Sequence, residues 1–475
     1  MIVAEAVGIS DCFERVQRGL VAELRRSAQE QQLAVDRGEI LAVDYLEAAG
    51  LKLGKILVAQ IERDEFAAPI AEAVAIRLDA FAFVEFGAVR AAVTDDHFPL
   101  HGFLIGRVVG IVDVATRTAM TASFAPWNGQ KAALQAQGVR ISNLNGVTLA
   151  VEELNQQGFT VDGKTVKLEV VAVDDKADPA TGKAVAQQLV DAGVVAVIGH
   201  LNSGVSIEAA PVYAAANVGQ IAISTNPRYT ELGFDTTLRM VANDNLQARA
   251  MGAFAAGLAG ATRYAVLDEG TTYGKGLAEG AAKRLKELGK EVTVRQSFDG
   301  TTVAFDELAA QLKADKTDVI VSMLNDFQAI ALLQALVKVD HTNVQLVGGD
   351  TIKTTAMTKA AGLVAQISAT SPVLNADEFA AGRKFITSFE TRFKNPVAYG
   401  AHYTYDSTYV LSGAIRSAKS ADRKAVLAAL RSLEGFAPVT GTMRWDAKGE
   451  QAFGAVGIYQ LRGSDWRLRS RSANW

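Results

Sequence analysis

From Asn145 onward, apolar positions fall alternately at helical and at strand spacing. Asn145 to Gln157 carries Val147, Leu149, Ala150, Val151 and Leu154 on a 3.6-residue period, and Val166 to Val173 reads as a strand. Pro179 to Ala192 reads as a helix, with Asp178 as N-cap and Pro179 at its first position. Val194 to Ile198 is a continuous apolar run, rich in β-branched residues, that reads as a strand buried on both faces. It stops at Gly199, and after Leu201-Asn202-Ser203-Gly204 a helical pattern begins near Val205, giving a helix from Ser206 to Ala216. Gln220 to Ile223 is the next strand. The alternation then repeats: helices over Gln247–Leu258, Gly276–Leu288, Phe305–Ala314 and Ala329–Val339, with strands over Tyr264–Leu267, Val292–Phe298, Val319–Met323 and Gln345–Val347. Strands alternating with helices predict βαβ units and parallel sheets, and two such series in succession predict two similar lobes.

Residues 1 to 117 follow another pattern. Phe13 to Gln31 reads as an amphipathic helix, followed by apolar stretches interrupted by charges, such as Lys55–Ile61 and Ala80–Phe86. Turn chemistry is scarce, and no fold follows. One reading is a small α+β domain; the preferred one is sequence foreign to the working protein, from an upstream start or a shifted reading frame. The beginning Met1-Ile2-Val3-Ala4-Glu5 has no basic region, and the first positive charge is Arg15, so no signal peptide is read there. The best candidate for a membrane span, Phe103 to Ala115, is short and carries Arg107 and Asp113.

Length and composition narrow the function. The 475 residues suffice for two or three domains, and 49% hydrophobic and 21% charged residues are ordinary for a globular protein. A net charge of −4 gives no basic bias, which argues against a nucleic-acid partner. The single cysteine, Cys12, excludes an intramolecular disulfide and a cysteine-based metal site.

Candidate chemistry collects in four loops, each following a predicted strand: Asn202-Ser203-Gly204, Ser224-Thr225-Asn226-Pro227, Asp268 to Gly274, and Gly348-Gly349-Asp350-Thr351. Any one of them is ordinary turn and cap chemistry. Together they supply hydroxyls for a carboxylate (Ser203, Thr225), an acid for a cation (Asp350) and an aromatic wall (Tyr273), all where open α/β sheets bind ligands. A helix N-terminus behind Ser203 favours an anion. The set suits a zwitterion held between two lobes.

Enzyme readings find less support. Lys275 is followed by Gly276 where a phosphate-binding loop needs Ser or Thr, no G-x-G-x-x-G opens a helix after a strand, and Ser203 lies outside a G-x-S-x-G context. The histidines at 97, 101, 200, 341 and 402 are scattered, and His200 reads as a structural strand-end residue. No cofactor and no metal site is expected. Tyr399, Tyr403, Tyr405 and Tyr409 read as an aromatic helix near Asp406 that packs in the core, with one tyrosine able to reach the cleft.

From about Asn145 to Leu468 the chain resembles the periplasmic substrate-binding proteins of branched-chain amino acid ABC transporters, the leucine/isoleucine/valine type. The resemblance is carried by Asn145-Gly146-Val147 with Glu153-Leu154-Asn155, Asp174-Asp175 with Asp178-Pro179, Gly199 to Ser203, and Ser224 to Pro227. It continues through Asp268 with Tyr273 to Gly276, Gly348-Gly349-Asp350, Tyr405-Asp406, and Gly441 with Trp445-Asp446, Lys448 and Gly449. It implies an α/β protein with two Rossmann-like lobes and parallel sheets, joined by a three-crossing hinge (a type I periplasmic binding protein), preceded by an N-terminal segment of uncertain fold. The implied division is 1–117; 118–243 plus 373–440 as the first lobe; and 244–372 plus 441–468 as the second.

By the family pattern, Ser203 and Thr225 hold a ligand carboxylate, while the Ser224 carbonyl and Asp350 take its ammonium group. Leu201, Asn202 and Tyr273 line the side-chain pocket, and Asn325-Asp326 closes from the second lobe. The implied partners are a small amino acid or related zwitterion and the membrane permease of an ABC transporter. The implied protein is a monomer, located in the periplasm, that performs no chemistry. Asn202 and Asn325 make the pocket more polar than an aliphatic ligand requires, so a receptor for a small amide or carboxylate is an alternative; a ligand-sensing regulatory domain of the same fold is another. The sequence departs from the family near its first strand, expected over Ala119 to Phe124. Pro126-Trp127-Asn128-Gly129 and Gly138 are similar to the family's P-x-[ST]-G loop, but lie farther from Asn145-Gly146 than usual.

Overall fold

The computed structural model describes residues 39–41, 58–60 and 127–472. The helix expected over Phe13–Gln31, the Phe103–Ala115 segment, the strand expected over Ala119–Phe124, and His97 and His101 lie outside the described residues. The chain divides into two compact units. The described part of one is a pair of short antiparallel strands, β1 (Glu39–Leu41) and β2 (Val58–Gln60). All described residues from Trp127 on belong to the other.

That larger unit is a two-lobed α/β structure. It opens with α1 (Trp127–Gln156). The expected helix therefore starts eighteen residues earlier than its apolar pattern, and the residues read as a P-x-[ST]-G-like loop are helical; Lys131 to Gln137 is a run of strong helix formers. A tight hairpin, β3 (Thr160–Val161) and β4 (Lys164–Thr165), follows. The expected strand over 166–173 forms no ladder. Val166 and Leu168 are buried as the alternation requires, but Leu168 finds its partners on a side chain. Its N–H donates to Asn155 Oδ1 (2.8 Å) and its carbonyl accepts from Asn155 Nδ2 (2.9 Å).

The first lobe contains a parallel three-stranded sheet, in the order β5 (Ala196–Ile198), β6 (Gly219–Ala222), β7 (Thr237–Arg239). Its helices are α2 (Pro179–Asp191), α3 (Ser203–Ala215) and the short α4 (Arg228–Glu231). Asp178 caps α2 as expected, accepting from the Thr181 N–H at 2.7 Å. The helix after β5 begins at Ser203 rather than Ser206, so the polar residues read as a loop are its N-cap, Asn202, and first turn.

The second lobe is built on a seven-stranded sheet. In sequence come α5 (Asp244–Ala256), β8 (Arg263–Asp268), α6 (Thr272–Glu287), β9 (Glu291–Ser297), α7 (Asp306–Ala314), β10 (Val319–Met323), α8 (Asp326–Lys338), β11 (Gln345–Gly348) and β12 (Gln366–Ser371). The order β9-β8-β10-β11-β12 is parallel throughout. Both faces are covered: Val319 and Val321 of β10 pack with Met251 and Leu277 on one side, and Ile320 packs with Leu312 and Leu333 on the other. A strand buried on both faces reads as a continuous apolar run, which is why β10 was legible.

The chain then returns to the first lobe. Helix α9 (Gly382–Phe393) and α10 (Ala401–Ala418) pack on α1, and α11 (Arg423–Arg431) packs beneath β6. A hairpin, β13 (Glu434–Ala437) and β14 (Gly441–Arg444), leads into a turn at 446–450 that lies along β7, where Arg239 N–H donates to the Gly449 carbonyl at 2.8 Å. A third passage reaches β15 (Val456–Arg462) and β16 (Asp465–Ser472), which pair antiparallel and extend the second sheet beyond β12. That sheet is thus mixed rather than purely parallel. The chain crosses between lobes three times, after β7, after β12 and before β15.

Candidate functional site

The C-terminal ends of the parallel strands of both lobes meet. From the first lobe, α3 starts at Ser203, which is 3% exposed, and its Oγ accepts the Asn226 N–H at 3.2 Å. Thr225, also buried, sits in the loop between β6 and α4, and its carbonyl accepts the N–H of Asp244 at 2.8 Å. From the second lobe, α6 brings Tyr273 in its first turn, and β11 ends at Gly348 two residues before Asp350. The lobes touch: Asn226 Nδ2 donates to the Thr272 carbonyl at 3.0 Å, and a Cβ on Gly276 would come within 2.6 Å of that same amide nitrogen.

Asp350 is the hub. Its Oδ1 accepts from Tyr273 Oη (2.6 Å) and Gln247 Nε2 (3.0 Å), and its Oδ2 accepts from Tyr399 Oη (2.7 Å). Three donors from three elements fix one carboxylate, and its negative charge, added to burial, raises both phenols well above their ordinary range. Tyr399 lies just before α10 and is the one aromatic of the 399–409 group that reaches this place. Tyr405 and Tyr409 instead donate to Glu153 Oε2 at 2.6 and 2.7 Å, and Tyr403 is in the core.

Asp244, the first residue of α5, was not singled out in the sequence. It is 3% exposed, and neither carboxylate oxygen has a hydrogen-bond partner. Burial, first, and the nearby Asp350 charge, second, push its carboxyl up to about 8, while the Thr225 hydroxyl pulls the other way. Gln247, one turn on, is fully buried; its Nε2 is engaged and its Oε1 is free. The signal for both was hidden in Val241-Ala242-Asn243-Asp244-Asn245. Asn243 is the N-cap of α5, accepting from the N–H groups of Asn245 and Leu246, so the helix starts three residues before its apolar pattern.

The remaining expected residues are placed as follows. Leu201 is half-buried against the first-lobe core, and Asn202 is exposed and makes no side-chain cap bond. Ser224 is buried; its Oγ donates to Ser206 Oγ (2.8 Å), and its carbonyl accepts from Arg239 Nη1. A cation therefore already stands on the carbonyl that the family pattern gives to the ligand's ammonium group. Asn325 is the N-cap of α8 in a capping box with Gln328, and Asp326 accepts from its neighbour Phe327 N–H (2.7 Å) and from Thr354 Oγ1 (2.7 Å). Both are engaged within the second lobe.

Behind the loop, His200 is fully buried between Asp175 (2.5 Å) and Tyr213 Oη (3.2 Å), the structural role expected for it. Glu269, in the loop after β8, lies against α6, and burial raises its carboxyl to about 7; a Cβ on Gly274 would stand 1.7 Å from its Oε2. Among the described residues no cluster of His, Cys, Asp and Glu is arranged to hold a metal, and no helix is long and apolar enough to cross a membrane.

Two α/β lobes, three crossings and a polar cleft at the strand ends define a bilobal ligand-binding protein. The chain belongs to the periplasmic binding protein family, which it matches over residues 135–465. It is 31% identical to Leu/Ile/Val-binding protein homolog 1 of Brucella abortus over 324 residues, 67% of this chain and 85% of that protein. It is 27% identical to a leucine-, isoleucine-, valine-, threonine- and alanine-binding protein of Pseudomonas aeruginosa over 64% of this chain and 81% of that one. The fold is that of a leucine-binding protein from Thermotoga maritima (TM-score 0.64, 21% identity, 77% of this chain and 98% of that chain). A solute-binding protein from R. palustris in complex with benzoate has the same fold (TM-score 0.63, 17% identity, 77% and 96%). The family is one of binding proteins, and this chain is a binding protein rather than an enzyme.

Proposed function

We propose that the protein captures a small zwitterion, a branched-chain or related amino acid, between its lobes and delivers it outside the cytoplasm to the permease of an ABC importer. The observation that carries this reading is the pairing of two acids across the cleft. Asp350 is held rigidly by Tyr273, Tyr399 and Gln247, and Asp244 is buried with no hydrogen-bond partner. A buried carboxylate without a partner is costly, and an ammonium group between the two would satisfy both. Opposite them, the Ser203 and Thr225 hydroxyls and the N-terminus of α3 offer donors to a carboxylate. Because Arg239 stands on the Ser224 carbonyl, this reading assigns the ammonium to Asp350 and Asp244 rather than to Ser224. Leu201, Asn202 and Tyr273 are assigned to the side-chain pocket. Asn325 and Asp326 are assigned to the rim.

The relatives' names point to aliphatic amino acids, and the benzoate complex shows that the same fold accommodates an aromatic acid without an ammonium group. The two acids favour the first. A thermal-shift screen of the full chain against the standard amino acids and benzoate tests the choice. A ligand at 100 times its Kd stabilises by about 2.7 kcal/mol, and at least one amino acid is expected to do so. A response to benzoate alone would overturn the assignment.

A further inference from the structure

The turn at 446–450, which carries part of the Trp445-Asp446, Lys448, Gly449 motif, ends in a carboxylate whose setting is unusual. Glu450 faces Arg239, the last residue of β7, which is fully buried. Arg239 Nε donates to Glu450 Oε2 and Oε1 at 3.0 and 3.2 Å. Its other nitrogens reach the ligand loop: Nη1 donates to the Ser224 carbonyl, and Nη2 to the Asn226 carbonyl at 2.7 Å. One planar guanidinium thus brackets Thr225 from both sides. A fork of fixed geometry suits this in a way that a lysine ammonium does not.

Glu450 is itself fixed. Thr230 Oγ1 donates to its Oε1 at 2.5 Å, and its own N–H donates to Asp446 Oδ1 at 2.9 Å. The turn is locked onto β7 by Gly449, whose φ is +89° and whose absent Cβ would meet the Thr237 carbonyl at 2.1 Å. Four residues beyond Glu450 the chain enters the third crossing, where a Cβ on Gly454 would lie 3.0 Å from Ala242 Cα in the first crossing.

We infer that the Arg239–Glu450 pair is a positioning device that couples the hinge to the ligand loop: Glu450, carried by the segment leading into the third crossing, holds Arg239, and Arg239 sets the backbone of Ser224-Thr225-Asn226. The inference rests on the proposed reading of Thr225 as a ligand contact only for its effect on affinity; the effect on the loop stands without it. Both residues are positioning residues and touch no ligand in this scheme.

The test compares the wild-type full chain with E450A and E450Q, and with L308A as a control that removes a buried side chain from the second-lobe core. Glutamine keeps an oxygen for Arg239 and Thr230 while losing the charge. In the ligand-free protein, hydrogen exchange at the Asn226 and Asp244 amides, which donate to Ser203 Oγ and to the Thr225 carbonyl, is the direct readout. E450A is expected to speed it at least tenfold, E450Q to restore it to within about threefold of wild type, and L308A to leave it unchanged at equal protein stability. With L-leucine as probe, E450A is expected to weaken binding at least tenfold and E450Q to rescue it. If E450A does not fold, E450D, which withdraws the carboxylate by one carbon, is expected to show the same pattern at smaller amplitude. Exchange in E450A or E450D no faster than in L308A would overturn the coupling. Failure of wild type to bind L-leucine or any other amino acid would instead count against the proposed function, and the exchange comparison would still decide the coupling.

Discussion

Replacing Asp244 by asparagine removes one titration while leaving the shape of the site almost unchanged. In the ligand-free protein the buried carboxyl is pushed up to about 8 from an ordinary value of 3.8. The folded state therefore holds this proton more tightly than the unfolded chain. The stability it confers is full below about pH 4 and is lost as pH rises through about 8. Four units at about 1.4 kcal/mol each set an upper limit of about 6 kcal/mol on the loss. Glu269 and Asp406, raised by burial to about 7 and about 6, tilt stability the same way but are common to both proteins and cancel in the comparison. Urea denaturation at pH 5 and pH 8 measures the difference, and wild type is expected to lose at least about 2 kcal/mol more than D244N over that interval.

Binding couples to the same proton. An ammonium group beside Asp244 favours the carboxylate, so at pH 7, where about nine-tenths of the free protein is protonated there, uptake of an amino acid releases close to one proton. Calorimetry in buffers of different ionisation enthalpy counts that proton, and affinity is expected to rise with pH up to about 8 in wild type and to be flat in D244N. Parallel stability curves for the two proteins, together with no proton released on binding, would refute the reasoning.

Asp350→Ala strands the hydroxyls of Tyr273 and Tyr399 and removes the central acid, so binding of any amino acid is expected to fall at least a hundredfold while circular dichroism and the unfolding transition show a folded protein. Leu332→Ala in the fully buried core beneath the second sheet is expected to cost about 2–5 kcal/mol in chemical denaturation with ligand affinity per folded molecule unchanged. Gly449→Ala meets both a positive φ and the Thr237 carbonyl at 2.1 Å, and a loss of at least about 1–3 kcal/mol is expected in the same assay. Glu152→Ala breaks an ion pair with Arg392 that lies in solvent, and a change of no more than about 1 kcal/mol is expected.

The legible parts of the fold were those where one local signal decides. Strand β10 is a run of residues buried on both faces, and α2 announces itself by Asp178 and Pro179. Helix starts marked by polar residues were read late. Ser203 and Asp244 open α3 and α5 with side chains turned to the cleft region, so their helices show no apolar period until a turn later. The strand expected at 166–173 failed for a tertiary reason, since Asn155 satisfies the backbone groups of Leu168 that a neighbouring strand would take. The antiparallel β15–β16 pair ends the second sheet with no helix between its strands, which the βαβ rhythm gave no cause to expect.

The site divides the same way. Ser203, Thr225, Tyr273 and Asp350 each follow a strand in a polar loop, and the structure brings them toward one cleft. Asp244, Gln247, Tyr399 and Arg239 reach it only through the crossing between lobes and the packing of α5 and α10. No spacing along the chain encodes those contacts.

The central claim is that the cleft recognises both ends of a zwitterion. Calorimetric titration of the full chain with L-leucine, with 4-methylpentanoate, which lacks the ammonium group, and with 3-methylbutylamine, which lacks the carboxylate, tests it most directly; should leucine prove weak, the best amino acid from the screen takes its place with its own two analogues. The account predicts saturable one-site binding of the amino acid and at least a hundredfold weaker binding of either analogue. Equal binding of the carboxylate analogue would contradict it, because Asp244 and Asp350 would then have no cation to meet.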